Sequence, residues 1–431
     1  MFSKSLPRRL MIVAVSLFVV TTMAIGLVRA QVTSIRFGTL TGWSVDGVNA
    51  LLVEAFKEAH PDVEVKMEYI TGDVASALTA QAASGTLPDV VFTADLFVVP
   101  FVQNGIVLDM QQFAETDEDI DIDDVYSIML DLGRVAGDSG LYMIPSSYDV
   151  VTVYYNKSMF EAAGAPLPEA DWTWDDMISA CTTIKEQTDN FCLGNGAPTW
   201  WAVYVPWIVG NGGGLLADDG RTVTLSSPES LAGLTALTDM WTVDGIGQPL
   251  DFDAGGDCFA VGKCALQLTI AGSMAGLRSL DPQPFEWDVQ VIPSQPNGKV
   301  TGMGTYGFAV SANAQDPELA WDFVKNLLSS DIQKAIAMDY TGTPLLKSLA
   351  DDPDILNRAG PPDNINAFAE NGENGILPTY FPGECGSLYA GQINQLITDA
   401  FNAVLTGEQS AEEAFTFAND EIQACLDETI E

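Results

Sequence analysis

Histidine is almost missing from this 431-residue chain: His60 is the only one. It stands before Pro61, at the end of an apolar-periodic segment, where a helix stop reads better than a catalytic base. Without a second histidine, Ser-His-Asp and Cys-His arrangements have no partner to build on. Basic residues are scarce too, 18 Lys and Arg against 59 Asp and Glu. So acidic a surface repels nucleic acid and anionic lipid headgroups, and both drop out as partners. The six cysteines include no C-x-x-C pair, which removes the usual zinc spacings, and no metal or cofactor is expected. The phosphate loop fails as well. In "GGDCFAVGKC" (255–264) the gap between Gly256 and Gly262 is one residue too long, and Cys264 stands where Ser or Thr should hold magnesium. "GSMAG" (272–276) lacks the flanking glycines of a nucleophile elbow. The acidic run "TDEDIDIDDV" (116–125) fails the calcium-loop pattern, with Asp124 at the glycine position and Leu130 at the closing glutamate position.

What is present begins with an address. Lys4, Arg8 and Arg9 precede an apolar run from Leu10 to Val28, and Val28 and Ala30 are the small residues a signal peptidase reads. Residues 1–30 are therefore expected to be a cleaved signal peptide. Gln31 follows the cut and no cysteine is near, so a lipoprotein anchor is not expected. Loss of the leader removes Lys4, Arg8, Arg9 and Arg29, lowering the formal net charge of −41 by four. The protein is expected in the periplasm or outside the cell. An even number of cysteines in an exported chain suggests disulfides. Sequence proximity favours Cys181–Cys192 and Cys258–Cys264, leaving Cys385–Cys425.

From Gln31 the chain alternates strand-like and helix-like segments. "SIRFGTL", "DVEVKMEYI" and "GTLPDVVFTA" read as strands, with helices from about Val45 to Ala59 and Val74 to Ala83. This order argues for an α/β fold with a largely parallel sheet, and the length suits two lobes. Single long helices are expected over 317–338 and 389–407. Aromatic residues in loop-like settings stand out: Trp43 in "TGWSVDG", Tyr148 and Asp149 before a Val run, Trp200 in "APTWWAVYVPW", and Tyr306 in "GMGTYGFAV". Flat aromatic faces suit the C–H faces of sugar rings, while carboxylates and hydroxyls bond sugar hydroxyls.

Several stretches together resemble the extracellular solute-binding proteins of bacterial ABC importers, in the group of maltose-type sugar binders. They are Tyr142-x-Ile144-Pro145, Tyr154 to Lys157 with Phe160, Ala163 and Gly164, "ASGTLPDVVF" (83–92), "FAVGKCALQLTIAGSM" (259–274) and "GFAVSANAQDPELAWDFVKNLLS" (307–329). Met274 stands where the family commonly has Trp. The resemblance implies a type II-like periplasmic-binding-protein fold whose two α/β lobes are joined by hinge crossings around a ligand cleft. By the same analogy the N-terminal lobe is 31–148 plus 271–311 and the C-terminal lobe 149–270 plus 312–431. The implied function is capture of a carbohydrate, mono- to oligosaccharide, by a monomer that delivers it to membrane permease subunits, with no catalysis. Trp43 and Trp200 are the expected stacking platforms, Asp95 and Asp149 the hydroxyl acceptors, Tyr148 and Tyr306 the walls, and Ser273 a contact near a hinge. A polyamine is the rival ligand, a glycerophosphate a weaker one for want of an arginine, and a secreted glycosidase the rival enzyme.

Overall fold

The computed structural model describes residues 34–429 apart from 136, 342, 359, 384 and 390. The expected signal peptide lies outside the described residues. Among the described residues ten strands occur: β1 Ser34–Thr39, β2 Glu64–Tyr69, β3 Val90–Ala94, β4 Ile144–Pro145, β5 Thr152–Asn156, β6 Leu266–Thr269, β7 Trp287–Gln290, β8 Thr301–Gly302, β9 Tyr306–Val310 and β10 Gly375–Ile376.

The first lobe is built on a five-stranded sheet in the order β2-β1-β3-β9-β4. β1 runs parallel to β2 and β3 because a helix separates each strand from the next, Trp43–Ala59 and then Val74–Ser84. Val48, Leu52 and Phe56, at helical spacing, are fully buried on the sheet. β9 enters antiparallel to both β3 and β4, a return of the chain from the other lobe. His60 stacks on Phe56 and lies 3.5 Å from Asp322, so it is a packing residue that ends the helix.

The second sheet is β6-β5-β7, with β5 antiparallel to both neighbours. Tyr154 and Tyr155 on β5 are buried in the core. The helix Trp174–Thr188 opens on a reciprocal cap between Thr173 and Asp176. The helices Pro228–Thr242, Gly391–Leu405 and Ala411–Thr429 pack on one another. The cysteines pair as 181–192, 258–264 and 385–425.

The lobe boundaries differ from the expected ones in two segments. Trp287–Gln290, expected in the first lobe, pairs with β5 in the second sheet. The helix Pro317–Val324, expected in the second lobe, packs on the first: Phe323 lies 4.7 Å from Phe37 and 5.1 Å from Phe56. An amphipathic stripe says that a helix buries one face, and not which sheet receives it. The single helix expected over 317–338 is also broken. After a 3₁₀ turn, Ser329 adopts an extended backbone and its hydroxyl accepts from the Ile332 amide, starting the new helix Ser330–Ile336.

Two of the chain crossings between the lobes run side by side. The Val151 amide donates to the Gly302 carbonyl at 2.9 Å, and the Gly304 amide to the Asp149 carbonyl at 3.1 Å. The Ser146 amide donates to the Tyr306 carbonyl at 2.9 Å, and the Thr301 hydroxyl to the Val151 carbonyl at 2.8 Å. Asn371 pins the second-lobe end of this ladder, bonding Thr152 Oγ1 and the Ile292 amide at 2.9 Å each. The acidic run serves as a brace: Asp117 and Asp119 each hold Lys325 at 3.0 Å. Among the described residues no group of three or more His, Cys, Asp or Glu is placed to hold a metal ion.

Candidate functional site

A cavity of about 210 Å³ opens where β3, the crossing ladder and the second lobe meet. Asp95 reaches it from the residue after β3, at the start of the helix Asp95–Gln103. Asp149 comes from one crossing, Thr305 and Tyr306 from the other, and Trp200 caps the helix Trp201–Gly210. Strand ends and helix starts are where α/β folds collect ligands, because side chains there project past the sheet.

The two carboxylates are held differently. Asp95 accepts from the Leu96 amide at 2.6 Å, from the Thr305 amide at 3.0 Å and from the Tyr389 hydroxyl at 3.3 Å. Gly304 makes this possible, since a Cβ there would press on Asp95 Oδ2. Asp149 is 5% exposed and its Oδ2 accepts from the Ser147 hydroxyl at 2.8 Å. Its Oδ1 is buried and has no hydrogen-bond donor. Burial pushes both carboxyls up to about 6, against the pull of their hydrogen bonds. The charge of Asp149 adds to the rise at Asp95. Among the described residues no Lys or Arg lines the cavity.

Apolar and aromatic groups complete the walls. Tyr306 stacks on Phe92 with ring centroids 5.6 Å apart, and Tyr389 meets Trp201 edge-on at 5.7 Å. Four of the seven expected site residues, Asp95, Asp149, Trp200 and Tyr306, therefore share one cavity. Tyr148 does not join them. It is buried against Tyr126 and Gly372, because residues 148 and 149 lie on a crossing whose successive side chains face opposite ways. Ser273 begins the short helix Ser273–Arg278 and bonds Thr269 Oγ1 at 2.8 Å, outside the cavity lining. The side chain of Trp43 lies outside the described residues. Tyr389 was not anticipated. Its signal is the one that singled out Trp200, an aromatic residue between a Gly-rich loop, "PGECGSLY", and a helix start.

The chain belongs to the bacterial extracellular solute-binding proteins, whose family model matches residues 41–334. It is 25% identical over 317 residues to a binding protein of Brucella abortus, covering 71% of this chain and 74% of that one. It is 28% identical over 204 residues to the arabinooligosaccharide-binding protein of Halalkalibacterium halodurans, covering 44% of each. Among solved structures, the Listeria monocytogenes ABC substrate-binding protein in complex with cycloalternan superposes with a TM-score of 0.77. The match is at 24% identity and covers 91% of this chain and 98% of that one. The two-lobed α/β fold is that of a solute-binding protein, and the family is one of binders, not enzymes.

Proposed function

We propose that this protein is an exported, monomeric receptor that holds a carbohydrate in the interlobe cavity and delivers it to an ABC permease. The observation that carries the reading is the cavity itself. Two carboxylates with unequal numbers of donors face Trp200, Tyr306 and Tyr389, and no cationic side chain lines the cavity among the described residues. Carboxylates accept from sugar hydroxyls, and aromatic walls cover the apolar faces of the ring. The related arabinooligosaccharide binder supports the same class of solute. The basic-then-apolar leader at residues 1–30 supports export.

Asp149 Oδ1 is the proposed acceptor of a solute donor, Asp95 a pre-set acceptor, and Trp200, Tyr306 and Tyr389 the walls. That same bare oxygen gives a polyamine its claim as second reading, since an ammonium would meet two carboxylates. A glycerophosphate finds no arginine or lysine in this cavity. Thermal-shift screening of neutral saccharides and polyamines, followed by calorimetry on the hits, tests the proposal. A saccharide that raises the melting temperature supports it. A polyamine response with silence from every saccharide overturns it, and new reducing ends after incubation with oligosaccharides would revive the glycosidase.

A further inference from the structure

Arg278 and Arg358 have no ion-pair partner among the described residues, in a chain with 59 Asp and Glu against 18 Lys and Arg. Lys325, by contrast, holds three carboxylates and Lys334 two. Arg278 ends the helix Ser273–Arg278, and its Nε donates to the Pro361 carbonyl at 2.7 Å. Arg358 reaches the opposite way. Its Nη1 donates to the Ala337 carbonyl at 3.0 Å, and its Nη2 lies 2.9 Å from Met274 Sδ. Met274 and Arg278 are four residues apart on one helix and so share a face. Each guanidinium is therefore bonded to the segment that carries the other.

Their free donors are buried. Arg278 Nη2 and Arg358 Nε have no acceptor. Bare donors on a buried cation are costly, and a second cation nearby adds repulsion. Burial first, and then the charge of Arg278, pulls Arg358 down to about 10. Burial also lowers Arg278, against the charge of Asp339, which does not close to an ion pair. Arg358 and Pro361 line a cavity of about 560 Å³, with Lys157 and Gln283. Glu286 and Asp363 line it too; Asp363 lies 3.5 Å from Lys157, and neither carboxylate pairs with an arginine. A pair of guanidiniums that only packed its stems would gain by taking a carboxylate, the commonest charged group in this chain.

We propose that Arg278 and Arg358 form a binding site for one oxyanion, a carboxylate or phosphate group, reached through that cavity. Arg278 Nη2 and Arg358 Nε donate to it, and the planar fork of a guanidinium matches such a group. The oxyanion has two sources. One is a free inorganic anion. The other is an acid group carried by the solute, since Ile270 lines the interlobe cavity and Met274 follows it within four residues. The site stands on its own contacts and does not rest on the carbohydrate reading.

Calorimetry at pH 7.5 and fixed ionic strength tests it, with inorganic phosphate as one probe and glucuronate against glucose as the other. One-to-one binding of phosphate, or glucuronate binding about tenfold or more tighter than glucose, is expected. Phosphate alone marks a free anion, and a preference for glucuronate marks an acid group on the solute. Either signal should weaken about tenfold or more in both Arg278→Gln and Arg358→Gln. Wild-type crystals soaked in selenate need no variant: an anomalous peak within hydrogen-bond distance of both guanidiniums supports the site. Silence from both probes, binding unchanged in both variants, or selenate absent from the pair overturns it. Neutral saccharides binding wild type and variants alike would then leave the carbohydrate reading standing without it.

Discussion

Asp149 is a buried carboxylate with one oxygen left without a donor. Burial lifts its pKa to about 6, above the ordinary aspartate range. The folded state therefore binds a proton that the unfolded chain has already released. Stability from this source is complete below about pH 4 and is lost as pH rises through about 6. The ligand-free protein should melt at a higher temperature at pH 5.5 than at pH 7.5. Asp149→Asn should reduce that difference and leave the share due to Asp95, which is also raised to about 6, as differential scanning calorimetry at both pH values will show. Solute binding has the opposite sign, because a donor from the solute favours the ionised form. Affinity should fall as pH drops through about 6. At pH 7.5 Asp149→Asn should weaken binding by about 1.5–3 kcal/mol, the worth of a hydrogen bond to a charged group. Gly304 offers a cleaner probe. Gly304→Ala places a methyl against Asp95 Oδ2, so binding should be lost while the far-UV circular dichroism stays that of the native protein. Retention of full affinity would show that Asp95 is not an acceptor.

At the scale of elements, the strands of the first sheet and its first two helices were legible because period-two and period-3.6 patterns were strong there. β1, β2 and β3 fall where the sequence places them, and His60-Pro61 ends the first helix as expected. The misplacement of Pro317–Val324 and Trp287–Gln290 has one cause: periodicity reports that a face is buried and is silent on its partner. Ser329 was readable as a cap but sits inside a continuous apolar pattern, which concealed the break. Within the site, loop aromatics pointed to Trp200 and Tyr306. The same signal also picked out Tyr148, whose alternation with Asp149 along the crossing turns it into the core, outside the cavity lining. The disulfides can be weighed separately. Cys385–Cys425 spans 40 residues and ties a loop to the C-terminal helix Ala411–Thr429. In the chain-entropy account a closure of that length contributes about 4 kcal/mol. Replacing both cysteines by serine should lower the denaturant midpoint accordingly, with the slope of the transition little changed; an unmoved midpoint would mean the link is energetically idle.

The whole molecule carries a formal charge of −41 before any leader is removed, and its carboxylates far outnumber the cations that could pair with them. Mutual repulsion then opposes compactness, and salt relieves it. The melting temperature should climb as potassium chloride is raised from low concentration toward about 1 M, where the screening length is down to about 3 Å. A flat or falling curve would show that local ion pairs such as those at Lys325 outweigh the global term. The crossing ladder has a different kind of consequence. Asp149 belongs to it, and Asp95 is bonded to it through Thr305, so both proposed acceptors sit where the lobes join. The Asp149 oxygen that lacks a donor is buried, so the lobes must part before a solute can reach it. Variants that stiffen or loosen the ladder should therefore change how fast a solute arrives as well as how long it stays.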